Sequence, residues 1–503
     1  GVMTILVLCI AMGAAVSADP AYLVPVAPGW RTRALITVGE SGNDKPDGSP
    51  YRMVGIPDGL GAYDNHDDTF TVLMNHELRE GAGVRRAHGG IGAFVSQWTI
   101  RKHDLKVLHG GDLIQQVYLW DPGASVYVLA DPATFSRFCA ADLPGPYAFF
   151  DRQSGNGFPG RMFLNGEESD NLGRAFAHIA SGPHTGTSYE LPHLGNGQWE
   201  NVVAHPFARD RTIVVGLDDS SPGQVYLYYG EKSSRGTEVH KAGLFGGRLY
   251  GIKVLSSFRD EDRAAAFGDG QSWGFGLVNL GDVSALGFGD LQAASEAAGV
   301  TEFLRPEDGA WDTEDPNRFY FVTTDRFDTV KTGSGTQEGR TRLWRLVFQD
   351  VRIPASGGRI EMLLDGTGPY QMFDNLSVNS LGHVILQEDP GGQPYLARIQ
   401  SYTPDNAKLT ELFRFDPARF GDLKLPATPP FTIDEEGSGV IEITRIIKTA
   451  PWFTPNRRYY LGTAQTHAAL VDHDEDPSTS PQRDTELVEG GQLYIFTDGE
   501  LPK

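Results

Sequence analysis

Apolar and polar positions alternate in short bursts along this chain, and the bursts come in sets. In Thr69-Phe-Thr-Val-Leu-Met-Asn-His-Glu77, Phe70, Val72 and Met74 alternate with Thr69, Thr71 and Leu73. That period of two, carried by β-formers, predicts a strand. The strand ends in Asn75-His76-Glu77, three side chains able to bind protons or metal ions. From near Asp58, PDGLGAYDNHDDTFTVLMNHE reads strand, turn, strand, polar tip, and GAFVSQWTI (92–100) reads as the next strand. Near Asp142 the turn DRQSGNG leads to GRMFLNGEES and GRAFAHI. ENVVAHPFARDRTIVVGLDDSS at Glu200 repeats the design and runs on to QVYLYYG. EDGAWDTEDPNRFYFVTTD at Glu307 is followed by TRLWRLVF, and DNLSVNSLGHVILQEDPGG at Asp374 by PYLARIQ. ITRIIKTAPWFTPNRRYYLGTAQTH, from near residue 441, precedes GQLYIFTDG (491–499).

Six copies of a three- or four-strand antiparallel unit predict an all-β, six-bladed β-propeller. It would be a single large domain over residues 19–503, with blades starting near 58, 142, 200, 307, 374 and 441. ALITVGE (34–40) is expected to pair with the last blade and close the ring, leaving no open edge. The interval from opening acid to second-strand tip is shared by Asp58 and Asn75, Glu200 and Leu217, and Glu307 and Thr324. Two stacked sandwiches would give no reason for acids at equivalent positions. Insertions between blades are expected at 101–131, at 259–270 with the helical-looking RDEDRAAAF, and at LQAASEAAG (291–299).

Composition narrows the partners. Gly 61 and Pro 31 among 503 residues mark a turn-rich β protein, and a formal charge of −22 argues against a nucleic-acid backbone or an anionic membrane. Residues 4–18 form an apolar run too short to span a bilayer, and Val16-Ser-Ala18 fits signal-peptide cleavage. Residues 1–18 are therefore read as a signal peptide and the mature protein as secreted or periplasmic, with no membrane span. Cys9 falls in that run, which leaves Cys139 alone and excludes a disulfide framework or a cysteine-based zinc site. The acidic tract 472–486 reads as a solvated loop, with a peripheral calcium site as the alternative.

On a propeller, first-strand starts and second-strand tips converge on one face of the central channel. That gathers Asp58, Asn75, Glu77, Glu167, Glu168, Glu200, Asn201, Asp218, Asp219, Glu307, Asp308, Asp374, Asn375, Glu388 and Asp389. Two like charges about 4 Å apart repel by about 4 kcal/mol at an effective dielectric of about 20. So many acids require cations, and oxygen donors select hard ones, several calcium ions above all. At any single position an acid capping a turn is the competing explanation; recurrence at equivalent points is what argues for metal. His76 is a candidate ligand or proton-transfer group, as is His467. Arg85 and Arg86 are candidates to clamp phosphate or carboxylate, or to pair with one of the acids. No G-x-S-x-G elbow, Walker loop, HExxH or dinucleotide fingerprint is present.

The succession NHE, GEE, DD, PED and FDN resembles the PhoX-type family of secreted alkaline phosphatases. The resemblance implies a six-bladed propeller that hydrolyses phosphate monoesters at a calcium and iron cluster on its axis. Position by position Asn75-His76-Glu77 matches the first motif, and the resemblance implies metal-site roles for Asn75 and Glu77, for Glu167 and Glu168, for Asp218 and Asp219, for Glu307 and Asp308, and for Asp374 and Asn375, with His76 assisting proton transfer. The family's second motif carries an iron-ligating cysteine where this chain has Gly166, and Cys139 is distant in sequence. Ser220-Ser221 also replaces the Glu-Arg expected after the paired acids. Those departures predict calcium without iron in a divergent branch. The expected function is a calcium-dependent phosphoester hydrolase acting on a phosphorylated small molecule. A non-catalytic calcium-stabilised binding or assembly propeller and a lactonase-like calcium hydrolase are the alternatives.

Overall fold

Middle strands in this protein are apolar on both faces because sheets stack against both. In Thr69–His76, Phe70, Val72 and Met74 join one cluster with Trp98 and Ile100, while Leu73 joins another with Val95 and Phe163. Side chains interleaved between sheets about 10 Å apart form the core of such a stack. The computed structural model describes residue 17 and residues 19–256, 270–469 and 485–503.

The sheets succeed one another in chain order. The first runs Pro57–Asp64, Thr69–His76, Phe94–Arg101, Val107–Asp112. The second holds Met162–Gly166, Ala175–Ile179 and Thr187–Glu190, and adds Gln116–Asp121 and Val126–Ala130 outside them. Much of the expected 101–131 insertion is thus strand, joined through a parallel pairing of Thr187–Glu190 with Gln116–Asp121. The innermost piece of this sheet is the segment 138–142, bridged to it at Phe138–Glu167 and Asp142–Leu164. A nine-stranded sheet comes next. It is two four-strand units, opening with Trp199–Ala204 and Pro306–Trp311, joined because Gln271–Gly281 pairs with Arg248–Val254 on one side and Gly358–Leu364 on the other. Phe373–Val378 opens the next sheet, which Leu23–Pro25 completes by pairing with Lys408–Phe415. The last holds Glu436–Glu442, Tyr459–Ala469 and Glu489–Thr497, completed by Arg31–Thr37. ALITVGE therefore closes the chain onto its end, as its pattern predicts.

Opening strands of successive units lie side by side around an axis, Pro57–Asp64 beside Glu436–Glu442 and onward through Phe373–Val378, Pro306–Trp311 and Trp199–Ala204, which packs against the second unit's Met162–Gly166. Amides latch neighbours together there. Asn75 Nδ2 donates to the carbonyls of Cys139 (2.8 Å) and Ala140 (3.2 Å), and Gln387 Nε2 to those of Ser438 (2.6 Å) and Gly439 (3.0 Å).

One boundary shifts. The final unit opens at Glu436, whereas Ile443–Ala450 is a run of turns whose Ile443 and Ile447 bury in the core. Its apolar residues read as a strand, but their spacing is that of consecutive turns. LQAASEAAG lies in the helix Asp290–Ala298 apart from its terminal glycine. RDEDRAAAF, most of the acidic tract 472–486, and nearly all of the apolar N-terminal run lie outside the described residues. Among the described residues no helix is long and apolar enough to cross a membrane.

Candidate metal centre

Each opening strand carries one more residue than its partner, always near the same end of the axis. Pro57 to Leu60 opposes His76 to Met74, Trp199 to Asn201 opposes Asp218 to Leu217, and Pro306 to Gly309 opposes Thr323 to Phe321. The same excess recurs at Phe373 to Leu376, Gly437 to Val440, and Phe138 to Asp142. A β-bulge re-aims the side chains beside it. Here the bulges accompany Asp58, Cys139, Glu200, Glu307 and Asp374, one per unit. In the last unit Ser438 holds the bulge and donates to Glu436 Oε1 at 2.8 Å, so that Glu436 supplies the acid.

A second tier comes from the residue just past each second strand. The N–H groups of Glu77, Glu168, Asp219 and Asp389 donate to the carbonyls of Ile56, Arg137, Gln198 and Met372, each two residues before an opening acid or cysteine. In the fourth unit Thr324 takes this place, bonded to Arg305. Together the tiers enclose a cavity of about 50 Å³ lined by nine carboxylates, Cys139, Arg137 and Arg305.

Four overlapping triads run across it. Asp58, Glu77 and Cys139 bring ligand atoms within 4.8 Å of one another, and so do Cys139, Glu168 and Glu200. The series continues with Glu200, Glu307 and Asp374, then Asp374, Asp389 and Glu436. Charge is poorly balanced. Arg137 donates to Glu77 Oε1 through Nε (3.0 Å) and Nη2 (2.6 Å), and its Nη1 lies 2.8 Å from Glu168. Arg305 grips Asp219 at 2.9 and 3.1 Å and Glu307 at 2.8 Å. Two guanidiniums face nine carboxylates.

Burial, reinforced by neighbouring carboxylates, pushes Asp58, Glu200, Glu307 and Asp374 well above the usual carboxylate range. Burial and then Glu436 do the same to Asp389. Glu168 is raised by burial to about 8 despite Arg137. Glu77 is lowered: burial opposes ionisation, but Arg137 and Gln465 outweigh it. The Cys139 thiol is raised by burial and by Glu168, to which it donates at 2.7 Å. Glu200 Oε1 is buried without a hydrogen-bond partner among the described residues. A buried acceptor with nothing to accept from, among acids most of whose ionisation burial opposes, fits a donor set built for cations.

The structure sorts the expected residues. Glu77, Glu168, Glu200, Asp219, Glu307 and Asp374 line the cluster. Asn75, Glu167, Asp218, Asp308 and Asn375 stand one step away and brace it. Glu167 is bound by Arg174 (Nε–Oε2 2.8 Å), and Asp218 accepts from the Gln198 N–H (3.0 Å) and Ser220 Oγ (2.8 Å). Asn375 donates to Asp58 Oδ1 at 3.1 Å.

His76, Arg85 and Arg86 are not brought to the cluster. Strand alternation sends His76 to the opposite face from Asn75. It is fully buried, stacked on Phe94 at 4.3 Å and bonded to the Gly55 carbonyl and Ser96 Oγ, and burial lowers it to about 3. Arg86 lies over Phe94 and pairs with Asp112, while Arg85 is exposed and bonds the Gly89 carbonyl. His467 does approach the site, holding Glu436 and Glu489 at 2.9 Å each.

Cys139 is the main correction. Distant in sequence from GEE, it sits at the bulge of its unit's opening segment and belongs to two triads. A cysteine at 166 is barred by packing, since a Cβ there would meet the Trp199 side chain at 2.4 Å. Arg137 and Arg305 share a detectable signal: each lies two residues before the cluster residue of its unit, and each adopts a left-handed backbone (φ 52° and 54°).

No family model matches the sequence, and no curated protein matches it. Among solved structures, Pseudomonas fluorescens PhoX in complex with vanadate, a transition state analogue, is similar with a TM-score of 0.66. The identity is 11%, over 97% of this chain and 98% of that chain. XC5397 from Xanthomonas campestris, a gluconolactonase, gives a TM-score of 0.35 at 10% identity over 96% of both chains. The PhoX likeness shows the fold, a β-propeller.

Proposed function

We propose that this chain is a six-bladed propeller, exported from the cytoplasm, that hydrolyses phosphoesters of small molecules at a multi-metal centre on its axis. The carrying observation is the row of four overlapping triads on a PhoX-like fold. Glu200, Glu307, Asp374, Asp389 and Glu436 offer only oxygen and suit calcium. Cys139, with Asp58, Glu77, Glu168 and Glu200, adds a softer thiolate that suits a transition metal, which removes the argument against iron drawn from Gly166. Bound cations would supply charge neutralisation to phosphoryl oxygens and activation of a nucleophile.

The protein's own part is orientation and charge. Arg137 and Arg305 have side chains 27% and 33% exposed, against 10% or less for the acids they bind. They form the solvent edge of the cluster, where an incoming anion meets a guanidinium before a carboxylate, and their planar forks match phosphate oxygens. His467 holds Glu436 in place as a cation, raised to about 12 because its bonds to Glu436 and Glu489 outweigh burial.

The test is elemental analysis of protein purified without chelator, alongside turnover of a phosphomonoester panel. Bound calcium with a transition metal, and turnover abolished by EDTA and restored by metal, is the expected result. Metal-replete protein inert on every phosphoester would sink the enzyme reading in favour of a binding propeller.

A further inference from the structure

Just below the cluster the axis opens into a separate cavity of about 100 Å³. The bulges explain its lining. Asn201, Asp308 and Asn375 directly follow Glu200, Glu307 and Asp374, so consecutive residues of one strand serve the upper cluster and the lower cavity in turn. Asp142 reaches the same cavity from the second unit.

Three of these side chains are oxygen donors held in place. Asp308 Oδ1 accepts from Asn201 Nδ2 and the Gly309 N–H, both at 2.7 Å, and Oδ2 from the Leu376 N–H at 3.2 Å. Asn201 Nδ2 also donates to the Ala141 carbonyl at 3.3 Å, tying Asp308 to the segment that carries Asp142. Asp142 uses Oδ2 for the Ala204 N–H at 2.8 Å. Asn375 commits its nitrogen to Asp58, yet its Oδ1 is buried without a partner among the described residues, on a residue 1% exposed. An amide oxygen in that position is costly unless something in the cavity bonds it.

We propose that the axial cavity is a second cation site, taking a divalent ion of calcium size on Asn375 Oδ1 and the carboxylates of Asp142 and Asp308. Asp142, Asp308 and Asn375 Oδ1 present oxygen acceptors to the cavity, the donor type that a hard divalent cation selects. A volume of about 100 Å³ holds such an ion with two waters, each filling about 30 Å³. Calcium takes six to eight oxygens, so waters complete the shell. The ion would pin the second, fourth and fifth units at the axis. This site stands whether or not the cluster above turns over a phosphoester.

Asp142→Asn and Asp308→Asn test it, because neither residue belongs to the upper triads. After calcium loading and gel filtration, each variant should carry one ion fewer per chain than the parent and show a smaller calcium-induced rise in Tm. An unchanged calcium count in both folded variants would overturn the proposal. Should a variant fail to fold, anomalous diffraction from calcium-loaded parent crystals decides. A peak between Asn375 and Asp308 supports the site, and water-only density there overturns it.

Discussion

Two buried ionic sites share the first unit and have opposite character. Around Arg86 the charges balance: Asp112 takes its guanidinium and the Tyr51 hydroxyl, and Phe94 lies 3.8 Å beneath it. Burial opposes ionisation of Asp112, but Arg86 outweighs it and holds the acid below its usual range. Around Glu77, one arginine serves two carboxylates, and most neighbouring acids are driven upward. The first site is complete within the chain and serves the fold. The second holds more carboxylates than the chain's own cations offset, which is why bound cations are proposed there. Uncompensated charge, more than burial or acidity, separates a ligand site from a structural knot.

The largest effect should come from deleting a shared acid. Glu200 belongs to two triads, so Glu200→Gln is expected to lower metal content and cut phosphoester turnover by more than about 100-fold, since even outer-shell changes at metal sites cost 10- to 100-fold. Retained metal and turnover would dissolve the contrast. Asp112→Ala strands the buried Arg86 charge. It should cost about 3–5 kcal/mol in a urea melt while leaving metal content unchanged.

Stability against pH sharpens the comparison next. In metal-free protein, Asp58, Glu168, Glu200, Glu307, Asp374 and Asp389 have raised folded-state values, so the folded state binds more protons than the unfolded one. Their stabilisation is complete below the ordinary carboxylate range and is lost as pH rises through it toward about 8, where Glu168 titrates. Glu77, lowered, contributes in the opposite sense but is one against six. Tm of the chelated protein should fall between pH 5 and 8, and calcium should flatten that slope. Arg305→Lys keeps a charge but loses the fork, and should raise KM about tenfold, or about 1.4 kcal/mol, at unchanged metal content. Arg85→Ala, at an exposed position, should stay within about 0.5 kcal/mol in stability and leave turnover alone.

Much of this was legible in the sequence, and the boundary is physical. Period-two alternation located the second and third strands because their apolar faces are fixed by stacking on both sides. The acids Asp58, Glu200, Glu307 and Asp374 were visible because they recur at equivalent points. A bulge cannot be read from one strand, since it is a mismatch between two. That is why the sequence alone does not separate Asn75 from Glu77 within the polar tip, and the fold brings only Glu77 into the cluster lining. Arg86 and Arg137 are equally basic to the eye, and only the fold shows which one has a single dedicated acid. Cys139 escaped because it lies in an irregular segment held by two isolated bridges, with no apolar period to mark it.

The pairing of Arg31–Thr37 with Glu489–Thr497 carries a consequence for how the chain reaches this state. Arg31–Thr37 is separated from its partner by most of the sequence, and Leu23–Pro25 likewise waits for Lys408–Phe415. Until Lys408–Phe415 and Glu489–Thr497 emerge, both stay unpaired and the opening unit lacks its neighbour across the ring. Native contacts of such sequence separation make folding slow. Closure must wait for Glu489–Thr497, and for that interval the nascent protein presents bare strand edges, the state in which a chain of this kind is most exposed to aggregation and most dependent on chaperones.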